Sequence, residues 1–444
     1  MSASVAGVQS RPGPQRSPST PRRVAAGAAI GQVVEWYDYG IYGFLAVPIA
    51  YTFFSSSDPT AALLATFAVF AVPFVARPFG GVLCGYLADR IGRQRVLVGV
   101  LLLISLATVG IGVLPGYTSI GIAGPIILVL FRLMQGLSAG GEVVSAMSFV
   151  AEHAPPGRRA FLMCWGQSGA FIALFAGNIA GLTLAATLTE NQINEWGWRI
   201  PFLLALPLAL IGLYMRRHLD ESPAFREIQE QRREEKPEPL RAALAAKTTR
   251  RAIVLCAALA LLNSSGYYAL FTYMPTYLMV NLDYSQQQAF GATALAIMVM
   301  LLVIPIGAIT SDRIGRRPVL LFSSILVMII AIPSFALLDK GIGFLIIGLV
   351  VLGVTFAAYT GTIHAALAEL FPTRIRVTAY AIGYNFSTAV FGGAAPLMLV
   401  FAIDRTGISM FPAFYLIATA LGTAIAAWRM KETSEISMTK EVSQ

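Results

Sequence analysis

The sequence predicts an all-α membrane protein of twelve transmembrane helices in two six-helix pseudo-repeats, and three observations carry the prediction. The first is composition. Of 444 residues, 56% are apolar and 12% charged, against roughly 25% charged in an average soluble domain. At a mean hydropathy of +0.69, the chain has more apolar surface than one soluble core can hide. The second is segment length, because apolar runs near the ~20 residues that cross a bilayer recur along the chain. The third is a repeat. "DRIGR" at 89–93 returns at 312–316, an offset of 223, and "AEHAPPGRR" from Ala151 is answered by "AELFPTRIR" from Ala368, an offset of 217. Duplicated halves are how many secondary transporters are built, with the substrate site between them near mid-membrane.

The elements follow in order. Residues 1–23 are rich in Ser, Pro and Arg and lack an apolar region, so they read as a disordered cytoplasmic tail rather than a cleaved signal peptide. Breaks at charges, Pro and Gly then set six spans near 24–53, 60–88, 96–115, 124–151, 160–188 and 198–216. The polar stretch 217–250 carries opposite charges at helical spacing and is expected to be a partly helical cytoplasmic linker. Six further spans lie near 251–280, 287–310, 318–338, 342–368, 377–403 and 409–429, followed by a cytoplasmic tail over 430–444. The expected domains are thus bundles over 24–216 and 251–429.

Charge orients this array. With the N-terminus inside, the inner segments hold 27 Lys and Arg and the outer ones three, Arg199, Lys340 and Arg405. The positive-inside rule then puts both termini in the cytoplasm of a cell (inner) membrane. It also accounts for the net charge of +9 without nucleic acid. The three cysteines, Cys84, Cys164 and Cys256, all fall in spans, so no disulfide framework is indicated. The chain has no phosphate-cradling G-x-x-x-x-G-K-[ST] for an ATP-driven pump. Three histidines and no Cys/His cluster give no reason to expect a metal, a cofactor or an enzyme.

Ionised groups are costly inside a membrane, and those found there are functional by default. Five lie within spans: Glu35 and Asp38 in the first, Arg77 in the second, Arg132 and Glu142 in the fourth. At about 100° per residue, Glu35, Asp38, Tyr39 and Tyr42 share one face, while Trp36, Tyr37 and Phe44 turn away. Arg77 precedes Pro78, Gly80, Gly81 and Gly85, small residues that let another helix approach. Three acids face two arginines. If each arginine pairs, one carboxylate is left over, and an isolated buried carboxylate takes a proton. Glu35, Asp38 and Glu142 are therefore proton-coupling candidates; the alternative is a set of ion pairs fixing helix register.

Several stretches carry a resemblance. "GYLADRIGRQRVL" (85–97) is similar to the cytoplasmic signature of the major facilitator superfamily, and "RLMQGLSAGG" (132–141) to its fourth-span motif. Within that superfamily, "EWYDYGIYGF", "ARPFGG", "GLSAGGE", "EWGWRIPF" and "TYMPTYL" resemble the metabolite:proton symporters. "YYALFTYMPTYL" (267–278) and "FPTRIR" (371–376) look most like the proline/glycine-betaine members. Two features depart from the pattern: Ala308 stands four residues before Asp312 where Gly is usual, and the tail after Met430 is too short for the long coiled coil of some osmosensing members. The resemblance implies proton-coupled uptake of a small metabolite by alternating access, with protons, solute and the bilayer as partners and a monomer plausible. "FGGAAP" (391–396) is equally similar to members carrying dicarboxylates, citrate or shikimate. An efflux antiporter is a further possibility on the same fold.

Chemistry narrows the solute. A carboxylate wants an arginine fork, for which Arg77 and Arg132 are candidates. An ammonium group wants aromatic faces, which Tyr39, Tyr42, Trp165, Tyr267 and Tyr268 could supply. Gln167, Asn178, Asn263 and Asn385 are possible polar partners. A trianion would want more buried positive charge than two arginines offer, so the count favours a zwitterion or monocarboxylate. At the repeated inner turns, Asp89, Arg90, Arg93, Glu152, Asp312, Arg313, Arg316 and Glu369 are expected to form a charge-paired latch on the cytoplasmic side. His364 is expected to be a packed, hydrogen-bonded histidine.

Overall fold

The computed structural model describes residues 21–54, 58–91, 93–138, 142–155, 157–218, 246–373 and 375–435. The N-terminal tail, most of the central polar stretch and the last residues lie outside that set. Every regular element among the described residues is helical. The first span runs Pro21–Phe44 and, after a break at Leu45, Ala46–Phe53. The second is Pro59–Ile91 and the third Arg93–Val113. The fourth is Ala123–Ser138 with Glu142–His153, the fifth Arg159–Thr187 and the sixth Arg199–His218. The seventh combines Lys247–Leu259, Leu261–Gly266, a π-helical turn Tyr267–Thr272 and Met274–Asn281. The eighth, ninth and tenth are Gln286–Ile314, Arg316–Leu337 and Ile342–Glu369. The eleventh joins Arg376–Thr388, a π-helical turn Ala389–Gly393 and Ala395–Thr406, and the twelfth is Phe411–Arg429.

Among the described residues, nine helices are long and apolar enough to cross a membrane. Their outward faces keep large apolar side chains such as Leu302, Phe322 and Ile329 exposed, as a lipid-facing surface requires. Local signals set the ends. Ser285 and Gln288 form a reciprocal capping box at the start of the eighth span. Gly315, at φ +105°, turns the chain into the ninth, a backbone region that side chains with a Cβ disfavour.

Small residues set the crossings. A Cβ on Gly136 would meet the Pro73 backbone and one on Gly80 the Leu137 backbone, so the second and fourth spans touch main chain to main chain. The second half repeats this between the eighth and tenth spans: Gly307 lies against Ala358 and Gly361 against Ile304. Close approach of this kind replaces the missing hydrophobic drive between helices in lipid. The glycine one step before Ala308 thus makes the close contact in the second repeat.

Three expectations need adjusting. The seventh span begins at Lys247 rather than 251, because the polar turn before Arg251 continues the helix. Asp312 lies inside the eighth helix, and the turn itself is Gly315. The two-faced first span is also wrong: residues 35–44 are buried on every side, Trp36, Tyr37 and Phe44 included. A helix enclosed by neighbours all round has no face left to turn away, and periodicity cannot reveal that.

Candidate functional site

The site is built around Arg77. Its guanidinium carbon lies 4.7 Å from the Tyr39 ring centre, 5.0 Å from Phe74 and 5.2 Å from Trp36, within the range of cation–π attraction. Glu35 Oε1 stands 4.0 Å from Nη2. Yet Nε and Nη2 of this buried arginine find no hydrogen-bond partner among the described residues. Leaving buried donors unmade is expensive, so their presence here needs an explanation.

The other half closes over this cluster. Tyr268 packs edge-on against Phe74 at 5.3 Å and Tyr267 against Trp36 at 5.0 Å. The π-helical turn of the seventh span presents both tyrosines, and single π turns are frequent at functional sites. On the eleventh span the glycines of "FGGAAP" admit these rings: a Cβ on Gly392 would strike Tyr268 and one on Gly393 would strike Phe74. The hydroxyl of Tyr268 and Oδ1 of Asn263 are buried with no hydrogen-bond partner among the described residues. Tyr384 on the eleventh span is buried, its ring 5.5 Å from that of His364. One guanidinium, one carboxylate, several ring faces and unsatisfied polar atoms from both halves therefore converge.

Asp38, one turn from Glu35, does something different. It is buried, and its Oδ2 lies 2.6 Å from Thr108 Oγ1. Gln135 donates to the same hydroxyl at 2.8 Å, and Arg132 donates to Gln135 Oε1 at 2.8 Å and to the Phe70 carbonyl at 3.0 Å. Arg132 also covers the Tyr42 ring at 4.3 Å, while the Tyr42 hydroxyl donates to the Thr66 carbonyl. Arg132 and Tyr42, two expected substrate contacts, pack inside the first half: Gln135 and a carbonyl take two nitrogens of the guanidinium, and its Nε finds no partner among the described residues.

Two more differ in their surroundings. Trp165 is 41% exposed and lies edge-on to Phe161, unlike the buried rings around Arg77. Asn385 is half-buried, and its neighbour Tyr384 is the residue that turns inward. Gln167 lies elsewhere, 2.6 Å from His364 Nε2, with His364 Nδ1 at 2.5 Å from the Tyr380 hydroxyl. That chain links the fifth span to the tenth and eleventh. Asn178 donates to the Leu174 carbonyl of its own helix. The side chain of Glu142 lies outside the described ones, as do those of Asp89, Arg90 and Arg93.

Below the site, on the face bearing the repeated turns, charged groups tie the halves together. Arg159 meets Glu369 at 2.6 Å and Arg376 meets Glu152 at 2.6 Å. Glu369 also receives Arg316 at 3.0 Å and the Thr433 hydroxyl at 2.7 Å. Asp312 pairs with Arg316 at 2.8 Å and accepts the backbone N–H groups of Ala160 and Phe161 at 3.0 and 2.9 Å. The fifth span thus starts on a carboxylate from the other half, where its dipole favours negative charge. Arg313 is exposed and is removed from the expected latch. The turn at Gly315 brings Arg316, the first residue of the ninth helix, back to Asp312 near the end of the eighth, while Arg313 stays exposed. Sequence reasoning missed Arg159, Arg376 and Thr433; the 217-residue offset pairs Arg159 with Arg376 and was signal enough for those two.

On the opposite face the halves part. A cavity of about 650 Å³ opens among Ala50, Leu63, Tyr117, Tyr273, Asn281 and Asp404. From Tyr273 in its lining, a row of ring contacts leads to the site: Tyr273 lies edge-on to Phe67 at 5.7 Å, Phe67 to Phe70 at 6.3 Å and Phe70 to Tyr268 at 5.9 Å.

A family model described as Major Facilitator Superfamily matches residues 28–396 and 291–443. The chain is 37% identical to the proline/betaine transporter of Escherichia coli strain K12, over 93% of this chain and 84% of that one. It is 34% identical to an ectoine/proline transporter of Corynebacterium glutamicum, over 94% and 85%, and 33% identical to a citrate-proton symporter of Salmonella typhi, over 92% and 94%. Among solved structures, the xylose transporter of E. coli in a partially occluded inward-open conformation superposes with a TM-score of 0.74 at 17% identity, over 93% of this chain and 98% of that one. A match of this length, with relatives of this identity, places the chain in the Major Facilitator Superfamily as a multi-pass membrane protein of twelve helices in two six-helix repeats.

Proposed function

We propose that this protein is a proton-coupled symporter for uptake of a small zwitterion such as proline or glycine betaine. One observation carries the reading: the buried Arg77 guanidinium, with Nε and Nη2 unsatisfied among the described residues, sits in an aromatic cage closed by the other half. A solute carboxylate takes those donors in a charge-assisted pair. Its ammonium or quaternary nitrogen lies against Trp36, Tyr39, Tyr267 and Tyr268, whose ring faces attract cations. Relatives named for proline, betaine and ectoine support the same chemistry.

A citrate-like acid is the second reading, supported by the relative named a citrate-proton symporter. The charge inventory disfavours it, since Arg132 is already committed to Gln135 and Phe70. Export by antiport on the same fold is the third. The protein works in the cell (inner) membrane with both termini cytoplasmic, on the strength of the asymmetry of Lys and Arg. The bundles 24–216 and 251–429, joined by the linker 217–250, then rock about the site. Glu152, Asp312, Arg316 and Glu369 form the cytoplasmic gate together with Arg159 and Arg376, closed here while the outer cavity is open. Glu35, Asp38 and Glu142 are the candidates that carry the proton.

Uptake into proteoliposomes under an imposed pH gradient, against zwitterions and mono-, di- and tricarboxylates, tests the reading. Zwitterion accumulation driven by protons is expected. Accumulation of the tricarboxylate alone, or full proton-driven uptake in Glu35→Gln, Asp38→Asn and Glu142→Gln alike, overturns it.

A further inference from the structure

We propose that the cavity on the face opposite the repeated turns is a binding site in its own right. It is a vestibule where Asp404 and the rings of Tyr51, Tyr117 and Tyr273 hold a quaternary or protonated nitrogen. The proposal rests on the symport reading and adds to it the place where the solute is first captured.

Charge is the first argument. Among the described residues, the lining of this 650 Å³ cavity contains one charged side chain, the carboxylate of Asp404. A second carboxylate, Asp58, accepts the Thr60 N–H at 2.9 Å just before the lining residues Pro59 and Thr60. The outer segments hold three basic residues, and each is engaged elsewhere. Arg199 donates to the carbonyls of Gly112 and Leu114 at 3.0 and 2.6 Å and covers the Trp198 ring. Lys340 pairs with Asp339 at 3.4 Å. Arg405 lies over the Phe401 ring at 5.5 Å, on a different helix face from Asp404. Val400, four residues before Asp404, lines the cavity, whereas Phe401, four before Arg405, does not. A cleft bearing one sign of charge between low-dielectric walls concentrates the opposite ion.

The rings are the second argument. Tyr51 and Tyr117 are 72% and 37% exposed, and their side chains meet no ring and make no hydrogen bond among the described residues. Tyrosines at a membrane surface ordinarily anchor the protein among lipid headgroups; these two line the cavity instead. Tyr273 joins them there and begins the row of rings that ends at Tyr268. Ring faces attract cations, so the mouth and the inner cage share that chemistry and differ in charge. The cage presents the unsatisfied donors of Arg77, and the vestibule presents a carboxylate. A zwitterion suits both. A cation lacking a carboxylate is repelled by the guanidinium and suits the vestibule alone, while a polyanion meets Asp404 before it meets Arg77. Contacts open to water are weak, which a site that passes its solute inward requires.

Saturation-transfer NMR of the purified full chain with tetramethylammonium, at low ionic strength, tests the site. Saturable binding is expected, weakened about two- to fivefold by Asp404→Asn and by Tyr117→Leu, the worth of one exposed ion pair or cation–π contact. Asp404→Lys should abolish it. Both positions are exposed, and an unchanged unfolding temperature verifies that the variants fold. In proteoliposomes, Asp404→Asn should raise the KM for the zwitterion by a similar factor and leave kcat in place, a split that a merely structural role would not give. Absent binding, binding that ignores both Asp404→Asn and Asp404→Lys, or a KM that ignores Asp404→Asn overturns the proposal. The symport reading fails separately: an unaltered protein that binds tetramethylammonium through Asp404 yet accumulates no zwitterion keeps the cation site and loses that reading.

Discussion

Arg159 on the fifth span holds Glu369 on the tenth at 2.6 Å, and Arg376 holds Glu152 at the same distance. The residues of the second pair stand 217 positions from their counterparts in the first, so one exchange of charge is made twice, once in each direction. Such a closure is self-complementary: each half supplies the cation to one bridge and the carboxylate to the other.

Breaking this closure should open the inner side, and the two ends of one bridge should not be equal. Glu369 also serves Arg316 and Thr433, so Glu369→Gln takes a charged partner from two guanidiniums at once, even though Arg316 keeps Asp312, whereas Arg159→Ala leaves the carboxylate held. Stranding a buried partner costs about 3–5 kcal/mol. Cys164, buried five residues along from Arg159, reports the opening. With Cys84 and Cys256 replaced by Ser, its labelling by a thiol reagent from the cytoplasmic side should accelerate strongly in Glu369→Gln and less in Arg159→Ala.

Arg77→Lys keeps the charge and loses the fork. A lysine ammonium is a compact point charge that cannot present two parallel donors. The loss of one charge-assisted hydrogen bond, about 1.5–3 kcal/mol, predicts a rise of roughly 10- to 100-fold in the KM for solute. Initial-rate uptake at matched protein content measures it. An unchanged KM would remove Arg77 from the carboxylate site.

Gly393→Ala should harm transport more than stability. The added Cβ meets the Phe74 ring, and Phe74 lies 5.0 Å from the Arg77 guanidinium, so the collision displaces one wall of the cage. Overpacking of this kind costs about 1–3 kcal/mol. Solute affinity and thermal unfolding of the detergent-solubilised protein separate the effects: affinity is expected to fall sharply while the unfolding temperature moves modestly.

Glu432, just past the last span, clamps the turn between the eighth and ninth. Its carboxylate accepts the backbone N–H groups of Arg316 at 2.8 Å and Arg317 at 3.0 Å. Burial alone would push this acid up, but bonds from the Arg316, Ser434 and Arg317 backbones outweigh it and hold Glu432 below the usual carboxylate range. The charged form is therefore the bonded one. Its contribution is fully present at neutral pH and is lost as pH falls through the lowered value. Hydrogen exchange at the Arg316 and Arg317 amides should stay slow into mild acid and become fast at all pH in Glu432→Gln.

Much of this architecture could be read from the residue order, for reasons that are local. A bilayer demands long apolar helices whatever their partners, so the spans follow from length and hydropathy. The two signature pairs expose the duplication because duplicated segments keep their spacing. Arg77 and Asn263 could be named because buried polar groups are rare in such spans. The same reasoning did not reveal that Trp165 is exposed or that Arg132 bonds Gln135 and the Phe70 carbonyl. An aromatic or a guanidinium in a helix looks the same whether it meets lipid, a neighbouring carbonyl or a solute.

By itself, then, the sequence determined the membrane class, the twelvefold count, the repeat, the sided distribution of positive charge and the few residues able to do chemistry in lipid. Each of these depends on composition, length or spacing along one chain. Only the tertiary structure decided which carboxylate answers Arg77 and which one rests on Thr108, that Trp36 belongs to the cage, and that Arg159 and Arg376 tie the halves together on the face of the repeated turns. Those choices depend on which faces of separate helices meet, and residues 35–44, enclosed on all sides, leave no periodic trace of the answer.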